Sequence, residues 1–181
     1  MSFASHHYTE YSTYFVEIDS KYGSWDQQIH MHPTEELFLF LQEGTCRLIN
    51  NGVALDIPTP AVVWNRAGSF HQIVSATDTT GSYVLSYFPQ VLHNVPGWMM
   101  KTDFLEDSAM FALPLDLTGT YRMQLLFASS VGSPLFQRQL LLPCIFHQIS
   151  KCIEDGLEPI RISSTSGYAV VLLNYKPFYT G

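Results

Sequence analysis

Apolar and polar positions alternate, or apolar residues run together briefly, through most of the first half of the chain. The segments YFVEI (14–18), ELFLFLQ (36–42), TCRLIN (45–50), VALDI (53–57), AVVWN (61–65), HQIVS (71–75) and YVLSYF (83–88) are rich in β-branched and aromatic side chains. Short polar breaks with Gly or Pro separate them, so each predicts a strand. Asn51-Gly52 sits between two of these segments and accepts the positive φ angles of a type I′ turn, which predicts a tight hairpin. Successive short strands without helix-length spacers argue for an antiparallel barrel or sandwich rather than βαβ units.

The pattern changes after Phe88. Pro89 ends the last strand, and 89–118 reads as an irregular linker. Segments 119–133 and 134–156 predict two helices, with Ser133-Pro134 as a start signal and Gly156 as a stop. Pro143 should kink or divide the second helix. Phe136, Leu140, Ile145, Ile149 and Ile153 lie along one stripe. Leu141, Leu142, Phe146 and Cys152 widen it, so burial on more than one side is expected. The bland account is packing on the barrel; the sharper one adds contact with a second copy. The tail 157–181 has a strand-like centre and no assigned role.

Composition narrows the function classes. Nine Lys and Arg against 16 Asp and Glu give a net charge of −7 with no basic cluster, which argues against direct nucleic acid binding. Cys46, Cys144 and Cys152 lack metal-type spacing and read as buried thiols in a reducing compartment. The N-terminal stretch is polar and the apolar runs are too short to span a bilayer, so a cytoplasmic protein without membrane contact is expected.

Candidate chemistry gathers at WDQQIHMHPTEELFLFLQEG. In an extended chain, side chains two apart share a face, so His30 and His32 point together. Glu36 opens the next strand, and His71 follows a Gly-containing turn in NRAGSFH. These four groups suit a borderline divalent transition metal. The same groups also suit the polar mouth of a metal-free ligand pocket, with Trp25, Phe38, Phe40 and Trp64 as its aromatic walls. The third reading makes the histidines solvated loop residues and the aromatics core filling.

HMHPTEELFLFLQEG resembles the first cupin motif through His30, His32, Glu36 and Gly44. NRAGSFH resembles the second through Gly68 and His71, with Arg66 where cupins favour Pro. The resemblance covers about 14–88. It implies a small antiparallel, jelly-roll-like β-barrel that in many members holds one metal on these four residues. Seven residues, Leu37 to Glu43, separate Glu36 from Gly44, one more than the usual pattern. An extra strand residue turns side chains to the other face unless a bulge absorbs it, and Glu35 is then the substitute.

The order of elements to about 155 also resembles the N-terminal effector-binding and dimerisation domain of AraC-type transcription regulators. That resemblance implies a small-molecule sensor, with a sugar as one class of effector, pairing as a homodimer through the helices. The family's helix-turn-helix domain is not supplied by 157–181, so a sensory domain lacking its own DNA-binding unit is expected, either stand-alone or as a truncated or frame-altered regulator. The resulting division is 1–88 barrel, 89–118 linker, 119–156 helical dimerisation segment and 157–181 tail. In the sensor the ligand-binding residues are His30, His32, Glu36, Phe38, Phe40, Trp25, Trp64 and His71, with no cofactor. The alternative is a metal-dependent cupin enzyme of dioxygenase, isomerase or epimerase type, with one divalent metal on His30, His32, Glu36 and His71.

Overall fold

The alternating segments of the first half assemble into two antiparallel sheets in a computed structural model that describes residues 16–21, 28–75, 82–94 and 103–163. The strands are β1 (Val16–Lys21), β2 (His30–Met31), β3 (Glu36–Leu41), β4 (Thr45–Asn50), β5 (Val53–Pro58), β6 (Ala61–Asn65), β7 (Phe70–Ser75), β8 (Ser82–Tyr87), β9 (Ser108–Pro114) and β10 (Ile160–Ser163). One sheet has the order β1-β8-β3-β6-β9-β10 and the other β2-β7-β4-β5. The fold is mainly β and barrel-like, formed by two facing sheets rather than a continuously closed one. Asn51 and Gly52, at φ 48° and 82°, make the expected hairpin turn.

Two strands lie where none was expected. β9 falls inside the presumed linker 89–118 and pairs with β6, so this segment is part of the six-stranded sheet. β10 uses the first residues of the presumed tail to extend the same sheet beyond β9. SAMFALP follows an acidic stretch and contains Pro114, and IRIS is only four residues long, so long-range pairing decides their conformation.

Helices α1 (Leu117–Ser130) and α2 (Leu135–Glu154) follow β9. Asp116 caps α1, its carboxylate accepting from the Gly119 amide at 2.7 Å. The cap of α2 is Pro134 without a side-chain bond, while the Ser133 hydroxyl donates back to the Ser129 carbonyl at 2.6 Å. Pro143 lies within one continuous helix and does not divide it. Gly156, at φ 102°, ends α2: its amide bonds Ile153 O and that of Leu157 bonds Cys152 O, both at 3.0 Å.

The helices cover the six-stranded sheet. Phe127 of α1 meets Phe40 and Tyr83, and Phe146 of α2 meets Phe38 and Tyr87 in an edge-on arrangement. Three layers result, with the six-stranded sheet in the middle and its central strands β3, β6 and β9 buried on both faces. Of the expected stripe, Ile145 and Ile149 are buried, whereas Leu140 faces solvent at 66% exposure; the side chain of Phe136 lies outside the described set. Cys46 and Cys152 are buried, but Cys144 is exposed, contrary to expectation. Burial pushes the Cys46 thiol up to about 11. Among the described residues no helix is long and apolar enough to cross a membrane.

Candidate functional site

Residue alternation divides the middle sheet into two environments. Leu39 and Leu41 of β3 and Ala61 and Val63 of β6 point toward the four-stranded sheet, where they pack with Cys46, Leu48, Ile57 and Ile73. Phe38, Phe40 and Trp64 occupy the opposite face and pack with Phe127, Leu142 and Phe146 of the helices. These aromatics were expected to wall a pocket inside the barrel. Instead they form the seam between sheet and helices, at 0–1% exposure. Trp25 lies outside the described residues.

Glu36 goes with the aromatics. Pairing from Glu36↔Tyr87 to Leu41↔Ser82 is continuous, so no bulge compensates for the extra residue before Gly44. The carboxylate accepts from Tyr87 Oη at 2.7 Å and Trp64 Nε1 at 3.3 Å. Burial raises its pKa above the ordinary value, opposed by these two hydrogen bonds and the Arg66 charge. Arg66 also lies 5.8 Å above the Trp64 ring. Glu36 is therefore held apart from the imidazoles that the sequence pattern grouped with it.

The three imidazoles do converge. Pairing of β2 with β7 sets His30 opposite His71, and His32 follows with its loop held by Gly68 N–H to His32 O at 2.8 Å. Ring centroids are 4.5 Å apart for His30–His71, 5.1 Å for His30–His32 and 5.4 Å for His32–His71. One nitrogen from each ring lies within 4.8 Å of the others. His30 Nδ1 is 2.9 Å from Gln28 O, and His71 Nδ1 is 3.2 Å from Ser69 O. His32 Nδ1 faces Glu35 Oε2 at 3.6 Å. With an oxygen acceptor beside Nδ1 of His30 and of His71, the tautomer that donates from Nδ1 would leave Nε2 with its lone pair. Burial and the two neighbouring histidines hold His71 down to about 4 against its Ser69 bond, so its ring is neutral at neutral pH.

This donor set fits a borderline divalent cation chemically. His30, His32 and His71 would hold the ion, and it would supply Lewis acidity toward a bound oxygen. Glu35, buried at 8% exposure, is the carboxylate beside the cluster.

Several polar residues escaped sequence reasoning. Asn50, Asn65 and Ser69 are buried beside His71, and Asn50 Nδ2 donates to Asn65 Oδ1 at 3.1 Å. A signal was present: Cys46-Leu48-Asn50 and Ala61-Val63-Asn65 are alternating inward rows whose last member is an amide.

No family model and no curated protein matches the chain. Among solved structures, an apo variant of ToxT from Vibrio cholerae aligns at TM-score 0.50 and 14% identity, covering 77% of this chain and 55% of that one. ToxT from the same species bound to an unsaturated fatty acid aligns at 0.48 and 14%, covering 78% and 55%. A Cupin 2 conserved barrel domain protein from Salinispora arenicola aligns at 0.34 and 21%, covering 41% and 62%. The structural neighbours thus include cupin-domain proteins and the N-terminal domain of an AraC-family regulator. The likeness to apo ToxT shows a shared fold, and this chain spans about 55% of that protein's length.

Proposed function

We propose that this chain is a small-molecule-sensing domain whose ligand is anchored by His30, His32 and His71. The observation that carries the reading is the convergence of three imidazoles, one ring nitrogen of each lying within 4.8 Å of the others. The fold shared with the regulator ToxT supports it. The ligand is a polar metabolite, with sugars as the first class to test. Sensing is linkage: a ligand shifts the domain between two states only by its differential affinity for them. Tyr121, Leu125 and Leu140 lie exposed on the helices, and Leu125 lines a groove of about 640 Å³ together with Arg122, Cys144 and His147. We place a homodimer contact there. With so few cations, the chain itself is not assigned nucleic acid contacts.

The donor chemistry favours a second reading, in which the three histidines hold one divalent transition metal as in a cupin enzyme. One experiment separates the two. The chelator-treated chain is titrated with sugars and with Zn²⁺ or Ni²⁺ while its unfolding temperature is followed. Sugar stabilisation without metal, lost in His30→Ala and His71→Ala, supports sensing by the histidines alone. Stabilisation that requires metal supports the second reading, and no response to either sinks both.

A further inference from the structure

At the histidine end, both sheets turn polar residues inward. The row on the four-stranded sheet is His30, His71, Asn50; the facing row on the other is Leu37, Asn65, Met110. One step deeper both rows are apolar, with Leu48 and Ile73 facing Leu39, Val63 and Ala112. The polarity therefore belongs to the layer that carries His30 and His71 and stops there.

Asn50 and Asn65 are 0% and 1% exposed and join the two sheets through one amide–amide hydrogen bond at 3.1 Å. Asn50 Nδ2 also approaches Ser69 Oγ at 3.5 Å. Asn50 Oδ1, Asn65 Nδ2 and His71 Nε2 remain buried without a hydrogen-bond partner among the described residues. Polar atoms in that condition are rare, because each has given up water without replacement. A purely structural link between sheets would be served as well by an apolar pair.

We propose that Asn50, Asn65 and His71 form a ligand subsite at the inner side of the histidine cluster that takes an alcohol hydroxyl of a neutral, polyhydroxylated small molecule. The proposal rests on the sensing reading and names the chemistry of its ligand. Asn50 Oδ1 requires a donor and Asn65 Nδ2 an acceptor, and a hydroxyl group supplies both. A carboxylate has only acceptors, so it would set its charge against the Asn50 oxygen. No Lys or Arg lies in these two rows to offset that charge, and the chain carries −7 overall. An ammonium group lacks the acceptor, and an alkyl tail satisfies neither atom.

The full chain is titrated by calorimetry with glycerol, D-ribose and D-glucose in one arm and with butyrate and octanoate in the other. Chemical shifts of the Asn50 and Asn65 side-chain amides are followed in parallel. At least one hydroxylated probe is expected to bind and shift both amides. Asn65→Asp keeps the acceptor for Asn50 while replacing the free donor, and should weaken that binding about tenfold or more. Asn65→Ser serves as the alternative where the first variant does not fold. Binding confined to carboxylates, unshifted amides, or parent-like affinity in a folded variant overturns the subsite while leaving sensing in place. Failure of every probe in both arms overturns both.

Discussion

Tyr87 donates its hydroxyl hydrogen to Glu36 at 2.7 Å, in the seam where Phe146 packs on the sheet, and not in the barrel interior. Trp64 Nε1 is 3.0 Å from the same Tyr87 oxygen and 3.3 Å from the carboxylate. The three form a structural polar cluster under the helices. Tyr87→Phe should cost about 1–3 kcal/mol, because Glu36 loses its shortest partner in a partly buried setting. Urea denaturation measures the loss; a change in ligand binding at the histidines with unchanged stability would contradict this placement.

The same burial gives a pH dependence with a definite sign. The Glu36 carboxyl has its folded pKa raised, chiefly by desolvation. Stability associated with its protonated form is complete below the ordinary carboxylate value and is lost as pH rises through the raised one. Relative to Glu36→Gln, the parent should therefore gain stability as pH falls from neutral toward that ordinary value. Urea midpoints of both proteins across this range test it, and a constant difference refutes it.

Glu35 and Glu36 should separate cleanly in metal uptake. Glu35 faces His32 Nδ1 and Glu36 does not touch the cluster. Under the metal reading, Glu35→Gln weakens Ni²⁺ or Co²⁺ binding by about 10- to 100-fold, as loss of an orienting carboxylate does elsewhere. Glu36→Gln leaves affinity unchanged. Competition titration with a chromogenic chelator decides, and the reverse order of effects would restore Glu36 as a ligand.

Phe146 is fully buried against Phe38 and Tyr87. Phe146→Ala should cost about 3–5 kcal/mol while leaving ligand affinity of the folded fraction intact. A loss of affinity at unchanged stability would return these aromatics to the pocket wall.

Leu140, at 66% exposure, tests the proposed subunit contact. Sedimentation at micromolar concentration should show two subunits for the parent and one for Leu140→Glu. A strictly monomeric parent removes the dimer.

Much of the fold was legible because its signals are local. A two-residue period, an Asn-Gly turn and a helix stop at Gly156 are set by backbone sterics and near neighbours, and their elements appear close to the expected positions. The pairing of His30 with His32 on one face follows from the same alternation. β9 and β10 escaped because a short apolar run becomes a strand only when a partner edge is present.

The sequence by itself determined that Glu36, Phe38 and Phe40 share one side of a strand, and Leu37, Leu39 and Leu41 the other. It did not determine which side faces the barrel, since both are apolar and both become buried. Tertiary structure decided that by laying two helices over the aromatic side, which carried Glu36 away from the histidines. The same packing brought Asn50 and Asn65, from different sheets, into contact across the interior. Alternation is a property of neighbouring dihedral angles, whereas the choice of inner face is a property of everything packed against the sheet.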